Sequence, residues 1–168
     1  MNHYIEIIMK DDVVMHVYNQ IHLILASANE TQVGVSFPSL YKIRLHSTEI
    51  KLSSLFTEKS LTDCTMSDVK SVPKNCTFAF IRRIRSSKSK SQLRRFKKRG
   101  NVYTKEQELD YKMNMLKNGI DELYIQMKSN STKQCYFRFL KLEKSDKEKI
   151  GKFNSFGLSD TATIPIFD

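Results

Sequence analysis

The first unit of the fold can be predicted from residues 3–29, HYIEIIMKDDVVMHVYNQIHLILASAN. The segment His3–Met9 forms an apolar run that is typical of a largely buried strand. Asp11 and Asp12 can begin a helix, because their carboxylates accept hydrogen bonds from its free backbone N–H groups. Apolar side chains then recur at helical spacing: Val14, Val17, Tyr18, Ile21, Leu25 and Ala28. A buried strand therefore leads directly into an amphipathic helix.

The next fifty residues extend this pattern to six elements. Strands are predicted at residues 33–37 and 42–46, a helix at 49–62, and strand-like segments at 69–72 and 77–84. The order strand, helix, strand, strand, helix, strand predicts an α+β protein with a ferredoxin-like (RRM-like) N-terminal domain, in which two helices cover one face of an antiparallel sheet. RNA-recognition domains often use this fold, but the fold alone does not assign a function.

A smaller C-terminal domain is predicted to follow. An arginine-rich helix begins near Ser91 and ends at Gly100, and a second helix covers residues 104–116. Strands are predicted at residues 123–128 and 134–142, and the tail ends in an apolar strand. We expect one domain at residues 1–80 and a second at residues 81–168.

Positive charge is concentrated at the junction of these domains. Residues 81–100, IRRIRSSKSKSQLRRFKKRG, hold ten of the 28 Lys and Arg residues and no acid. The rest of the chain has 18 basic and 18 acidic residues, so the net charge of +10 lies in one segment. Such a segment indicates a polyanionic partner, most often nucleic acid. A solvated basic linker is the alternative.

The sequence disfavours a membrane-spanning, membrane-surface or secreted protein. No apolar run approaches the roughly 20 residues that cross a membrane. Leu93 and Phe96 give the basic helix too narrow an apolar side for a membrane surface. The three cysteines, Cys64, Cys76 and Cys135, have no metal-ligand spacing and are typical of free thiols in a reducing cytosol. We therefore expect a cytoplasmic protein.

The sequence offers little for metal or nucleotide chemistry. Its His, Cys and carboxylate residues have no metal-site spacing, and its five glycines form no phosphate-binding loop. We expect neither a metal nor another cofactor. RNA cleavage needs neither, because the 2′-hydroxyl of RNA is itself the nucleophile and a His can take its proton.

His22 is the candidate for that proton transfer. On a helical wheel it lies about 80° from the centre of the apolar stripe, at its edge, whereas His16 lies on the solvent side. An edge position lets packing hold a side chain that still reaches a cleft. The alternative is a boundary residue bonded to a nearby carbonyl group.

The SNSTK segment from Ser129 is the second candidate. Its hydroxyls could bind a ribose or phosphate; the alternative is a plain turn.

Several motifs occur in one order along the chain. They are HYIEI at the start, a helix with His22, GVSFP at residues 34–38, the basic segment, SNST at 129–132, YFRFL at 136–140 and Gly-Leu-Ser at 157–159. This ordered set resembles the CRISPR repeat-processing endoribonucleases of type I-F systems over nearly the whole chain. No single motif is decisive, but the ordered set, together with the His-to-GVSFP spacing, is specific.

The resemblance implies an activity and partners. It implies a metal-independent endoribonuclease that binds the hairpin of the CRISPR repeat and cuts at the 3′ base of the stem, leaving a 2′,3′-cyclic phosphate. The free enzyme would be a monomer, and it would stay on the mature crRNA beside the backbone and other subunits of the type I-F surveillance complex. By motif position His22 would transfer the proton and Ser129 would hold the ribose 2′-hydroxyl.

The resemblance also implies an RNA-binding set. Residues expected to contact the RNA are Arg83, Arg85, Arg94, Arg95, Lys98, Arg99 and Ser131. An aromatic ring would stack beneath the last base pair, and it is Tyr136 by counting from Ser129 or Phe137 by matching the Phe-Arg pair. These two rings point to opposite faces of a strand.

Two positions depart from the family pattern. The family has Gln where Arg85 stands. It has Tyr-Gly-Leu-Ser near the C-terminus where this chain has Phe156-Gly157-Leu158-Ser159. The lost hydroxyl helps to position the His, so His22 must be held in another way, for instance by Ser129 or Ser131. A non-catalytic hairpin-binding subunit of the same fold is the alternative function.

Overall fold

The computed structural model describes residues 1–10, 13–57, 60–84, 90–99, 104–120, 123–129, 132 and 134–168. Within these residues the elements, in chain order, are β1 (His3–Met9), α1 (Val14–Ser27), β2 (Gly34–Ser39), β3 (Lys42–Ser47), α2 (Glu49–Leu55), β4 (Cys64–Met66), β5 (Lys70–Ser71), β6 (Thr77–Ile84), α3 (Lys90–Lys98), α4 (Lys105–Ile120), β7 (Leu123–Lys128), β8 (Cys135–Ser145) and β9 (Ile164–Ile166). The predicted contacts of Arg85 and Ser131 and the predicted helix start at Asp11 and Asp12 fall outside the described residues.

The first sheet has the strand order β2-β3-β1-β4, with β5 also paired to β1, and every pairing is antiparallel. The elements β1, α1, β2, β3 and α2 occur in the predicted order. The predicted second helix was too long, because α2 ends at Leu55 and the chain turns at Asp63, whose φ is 61°. The short strand β4 then follows at Cys64, where the sequence predicted no strand.

The second sheet has the order β7-β8-β6-β9 and is also antiparallel. The C-terminal strand β9 lies beside β6, so the tail returns to the middle of the chain. Side chains alternate between the two faces of each strand. Ile125, Arg138 and Leu140 occupy the buried face, and Tyr124, Phe137 and Phe139 occupy the other.

One continuous core joins the two sheets. Ile7 and Ile21 from the N-terminal half and Met127 and Leu158 from the C-terminal half belong to the same cluster of buried apolar side chains. Helix α1 packs against β7, and β2 packs against β9. The fold therefore brings α1 and the C-terminal segments together, although they are far apart in sequence.

Two glycines permit this close approach. A Cβ atom on Gly34 of β2 would lie 2.3 Å from a side-chain carbon of Ile164. A Cβ atom on Gly157 would lie 2.1 Å from Val35, and the φ of Gly157 is +69°, which L side chains rarely adopt. The backbone N–H of Val35 donates to the Gly157 carbonyl at 2.9 Å. Glycine at residue 157 thus allows the loop before it to lie against β2.

Candidate active site

His22 lies half-buried on α1, and its ring is oriented by a backbone group. Its Nδ1 lies 2.8 Å from the carbonyl oxygen of Ser155. A carbonyl can only accept a hydrogen bond, so Nδ1 carries the proton and donates it. In the neutral ring Nε2 is then the unprotonated nitrogen, which can accept a proton from a substrate.

The face of the His22 ring is packed against Phe156. The two ring centroids are 3.6 Å apart and the ring planes differ by 9°. The guanidinium carbon of Arg138 also lies 3.6 Å from the Phe156 ring centroid. Two groups this close to one ring cannot share a face, so Phe156 is sandwiched between His22 and Arg138. Contact between a guanidinium and an aromatic ring is worth roughly 0.5 to 2 kcal/mol and is strongest when water is excluded.

Arg138 is a buried cation, with 4% of its surface exposed. It donates from a terminal nitrogen to the Tyr136 hydroxyl at 3.3 Å, and its guanidinium carbon lies 6.0 Å from the Tyr136 ring. Among the described residues its Nε has no hydrogen-bond partner. Arg138 thus links Tyr136 of β8 to the stacked pair of His22 and Phe156.

The loop that presents Phe156 is held by its own hydrogen bonds. The Asn154 side-chain oxygen accepts from the backbone N–H of Phe156 at 2.9 Å and of Leu158 at 3.2 Å. The hydroxyl of Tyr18, also on α1, donates to the Phe156 carbonyl at 2.9 Å. Burial raises the pKa of Tyr18 well above its ordinary value of 10, so it remains the protonated donor. One helix therefore anchors the loop at two points, Tyr18 and His22.

Ser129 begins the turn between β7 and β8. Its hydroxyl oxygen accepts from the backbone N–H of Thr132 at 3.2 Å, and its own N–H donates to the Gln134 carbonyl at 2.9 Å. Strand β7, which leads into Ser129, packs against the helix that carries His22. Ser129 is therefore bonded to Thr132 and Gln134, and its strand is a neighbour of α1.

The two aromatic candidates of β8 lie on opposite faces. Tyr136 is half-buried, packs against the core and bonds Arg138. Phe137 is 56% exposed on the other face, where it meets Tyr124 edge to face at 5.4 Å. Arg83 pairs with Leu140 in the ladder, so it belongs to the same sheet face as Tyr136, and its side chain is exposed.

The arginine-rich helix α3 is pinned on one side and charged on the other. Leu93 is buried, with 6% exposed, and Phe96 is half-buried, as their spacing predicted. Lys97 is bonded to Glu108 of α4 at 2.5 Å. Lys97 was not among the predicted RNA contacts of this helix, and those that were are all exposed: Arg94, Arg95, Lys98 and, just after its end, Arg99. The predicted RNA contacts of this segment therefore all face solvent.

Within the described part of the chain, no three His, Cys, Asp or Glu side chains are grouped so that they could hold a metal ion. Over the same residues, no helix is both long and apolar enough to span a membrane.

Comparison with known proteins assigns the chain to a family. The sequence profile of the CRISPR-associated protein family Cas_Csy4 matches residues 5–167. The chain belongs to the Cas_Csy4 family. A member from Escherichia coli (strain UTI89 / UPEC), CRISPR-associated endonuclease Cas6/Csy4, is 31% identical over 185 aligned residues, which cover 99% of this chain and 100% of that protein.

Two solved structures were also compared with this Cas_Csy4 member. They are crystal structures of Cas6b and of the CRISPR RNA processing endoribonuclease Cas6b, both 12% identical and both covering 99% of this chain and 100% of theirs. Their TM-scores of 0.28 and 0.27 are too low to establish a shared fold.

Sequence reasoning did not identify two residues of the His22 site in this Cas_Csy4 member, Ser155 and Arg138. A bond from His22 to a nearby carbonyl group was the alternative drawn from the sequence, but no side-chain pattern reveals that this carbonyl belongs to Ser155. Arg138 was overlooked inside YFRFL, although an Arg at an inward position of a strand is a signal, because arginine is almost never buried without a partner.

Proposed function

We propose that this protein is an endoribonuclease that binds the CRISPR repeat hairpin and cuts pre-crRNA at the 3′ base of the stem. Family membership and the endonuclease name of the relative from Escherichia coli support the class of reaction. The observation that carries the proposal for this chain is His22, whose Nδ1 is bonded to a carbonyl and whose ring is stacked on Phe156. This is the arrangement a general base needs, because the nitrogen that accepts the proton is defined in advance.

In the proposed reaction His22 Nε2 accepts the proton of the ribose 2′-hydroxyl. The 2′-oxygen attacks the adjacent phosphorus, and the bond from phosphorus to the 5′-oxygen of the next nucleotide breaks. The leaving 5′-oxygen takes up a proton from water, so the products are a 2′,3′-cyclic phosphate on the hairpin and a 5′-hydroxyl on the downstream RNA. The nucleophile belongs to the substrate, so no metal is required. Ser129, at the start of its turn, would hold the 2′-hydroxyl.

The stem would be gripped by the exposed cations of α3. Arg94, Arg95 and Lys98 project from a short helix that Leu93 fixes to the protein, and Arg99 follows directly after it. The major groove of A-form RNA is deep and narrow, but a slim basic helix can enter it near the end of a short stem. Arg83 would read the lowest base pairs. Arg85 and Ser131 remain proposed contacts on the sequence pattern alone.

Tyr136 is the better candidate for the ring beneath the last base pair. It shares a sheet face with Arg83 and is joined to the His22–Phe156 stack through Arg138. Phe137 points to the opposite face of the same strand. A stem placed over Tyr136 would bring its cut nucleotide towards His22.

Two domains are proposed, the first of them ferredoxin-like and the second RNA-stem-binding. The element order and the strand order of the first sheet support the ferredoxin-like assignment. The predicted boundary at residue 80 falls inside β6, which begins at Thr77 and pairs with β8 and β9. This pairing favours a boundary just before Thr77.

We expect tight product binding and few turnovers. Several Lys and Arg contacts to phosphates release counterions and give strong, salt-sensitive affinity. The cleaved hairpin would then remain on the protein, which is a monomer when free and becomes a cytoplasmic subunit of a type I-F surveillance complex with crRNA.

A non-catalytic hairpin-binding subunit is the second candidate. The observation that favours it is Phe156, which stands where the family has Tyr and therefore lacks its hydroxyl.

The test is the chemistry of the products. The purified protein is incubated with its repeat hairpin RNA in excess EDTA, and the RNA ends are determined by mass spectrometry. We expect one cut at the stem base with a 2′,3′-cyclic phosphate, and no cut when the nucleotide before the scissile bond is 2′-deoxy. RNA that stays intact but bound both with and without EDTA would establish the second candidate. Cleavage of the 2′-deoxy RNA, or cleavage that occurs without EDTA and is lost in EDTA, would overturn the mechanism.

A further inference from the structure

The face of the second sheet that points away from the core carries a row of aromatic rings, which we call the outer aromatic face. It consists of Phe78, Phe80, Tyr124, Phe137 and Phe139. The register defines this set, because Tyr124 pairs with Phe139 and Phe80 pairs with Glu143, and residues opposite each other or two apart on a strand share a face. None of these rings has a role in the proposed cleavage.

The outer aromatic face is open at one end. Tyr124 is 55% exposed and Phe137 is 56% exposed, with centroids 5.4 Å apart and planes at 85°. Phe139 lies 6.1 Å from Tyr124. Large aromatic rings that remain half exposed on a sheet leave their faces or edges available to a planar ligand.

Basic side chains accompany these rings. Lys149 lies over the Phe80 ring, with Nζ 5.1 Å from its centroid, and Lys141 is exposed on the same face of β8. Arg82 is bonded to Glu143 at 2.6 Å. With that carboxylate already paired, the charge on this face favours a polyanion. Aromatic rings for stacking together with cations for phosphates are the recognition chemistry of single-stranded nucleic acid.

We propose that the outer aromatic face binds single-stranded RNA, namely the strand that enters the repeat hairpin from its 5′ side. This inference rests on the proposed function, because cleavage at the 3′ base of the stem leaves only the 5′ strand attached to the bound product. Phe137 lies two residues beyond the start of β8, close to the turn of Ser129. A strand leaving the stem base can therefore pass over the end of the β7–β8 hairpin and continue across the rings.

The test compares the affinity of the full-length protein for three non-cleavable 2′-deoxy RNAs. They are the bare hairpin, the hairpin with a 5′ extension of about eight nucleotides and the hairpin with an equal 3′ extension. We expect the 5′ extension to tighten wild-type binding by about tenfold or more. Tyr124→Ala should lose most of this gain and keep both its affinity for the bare hairpin and its rate of hairpin cleavage.

Two further variants sharpen the result. Tyr124→Leu keeps an apolar side chain without a π-face, so it should lose the gain as Tyr124→Ala does. Ile50→Ala removes an exposed apolar side chain from α2 in the other half of the chain and should keep the full gain. Thermal melting checks that each variant is folded.

The opposing outcomes are distinct. Equal wild-type affinity for the bare and the 5′-extended hairpin overturns the inference and leaves the proposed function standing, since the bare hairpin is still bound and cut. A gain from the 3′ extension alone contradicts the assignment to the 5′ strand. Base stacking is contradicted if Tyr124→Leu keeps the full gain from the 5′ extension. It is also contradicted if Tyr124→Ala weakens the binding of bare and extended RNA equally. In either case the outer aromatic face would serve a protein contact or a structural role.

Discussion

The ring of His22 lies parallel to that of Phe156, with centroids 3.6 Å apart. The family resemblance implied that a lost tyrosine hydroxyl left this His to be held in some other way, for instance by Ser129 or Ser131. Among the described residues, the stacked ring of Phe156 and the Ser155 carbonyl contact His22. The loop that carries Ser155 and Phe156 thus holds the His by a ring face and a backbone oxygen.

Replacement of Phe156 should separate catalysis from binding. We expect Phe156→Leu to lower the single-turnover cleavage rate by about tenfold, because the His22 ring loses the surface that fixes its orientation. Hairpin affinity should stay within a few-fold. Phe156→Tyr keeps the stack and should cleave at least as fast as the wild type. An unchanged rate in Phe156→Leu would show that the Ser155 bond alone positions His22.

Removal of the proposed base should stop the chemistry. We expect His22→Ala to reduce the cleavage rate by about 10² to 10⁴ while hairpin affinity stays within a few-fold. His16→Ala is the matched control, since His16 lies on the same helix and bonds only towards Thr62 and Asp63 among the described residues. The two variants are compared by their single-turnover rate constants and by their dissociation constants for 2′-deoxy RNA. Equal losses of rate and affinity in His22→Ala would contradict its role as a base.

The basic helix should control the salt dependence of binding. Arg94→Ala combined with Arg95→Ala should weaken hairpin binding and reduce the slope of log affinity against log salt by about one for each lost phosphate contact. Cleavage of bound RNA should be retained. Lys70→Ala with Lys74→Ala removes the same charge from exposed positions in the N-terminal half and is the control. A slope that falls equally in both double variants would mean that the effect is general charge and not stem contact.

Acid should destabilise the fold through His46. This residue is buried on β3, where its Nε2 lies 2.8 Å from the Ser36 hydroxyl, and burial, with a smaller contribution from Arg44, lowers its pKa from 6.5 to about 3. Below pH 6.5 the unfolded chain binds a proton that the folded chain does not. Its contribution to stability is therefore complete above pH 6.5 and is lost as pH falls towards 3, by about 1.4 kcal/mol per pH unit.

Urea unfolding between pH 7 and 5 measures this loss before most carboxylates titrate. His46→Gln removes the titrating group and should flatten the dependence in this range, whereas His16→Ala, at an exposed position, should leave it unchanged. A wild-type stability that is constant from pH 7 to 5 would show that the folded protein accepts the proton.

Local patterns predicted most of the elements. Strands β1, β6 and β7 begin and end where predicted, because runs of apolar or alternating residues identify strands without reference to the rest of the chain. The α2 end and the three-residue strand β4 were missed, since short elements are stabilised by their neighbours more than by their own residues. The edge position of His22 was predicted by helical periodicity, and so were the buried Leu93 and the exposed cations of α3.

Other features depended on which segments meet in space. His22 and Ser155 are 133 residues apart, and their bond exists because Gly157 lets its loop lie against Val35. The faces taken by Tyr136 and Phe137 follow from the register of β8, since a shift of one residue exchanges the two sides of a strand. Sequence periodicity thus determined the elements and their buried faces, whereas the site was decided by long-range packing, because a stacked ring or a backbone carbonyl becomes a partner only once distant segments are in contact.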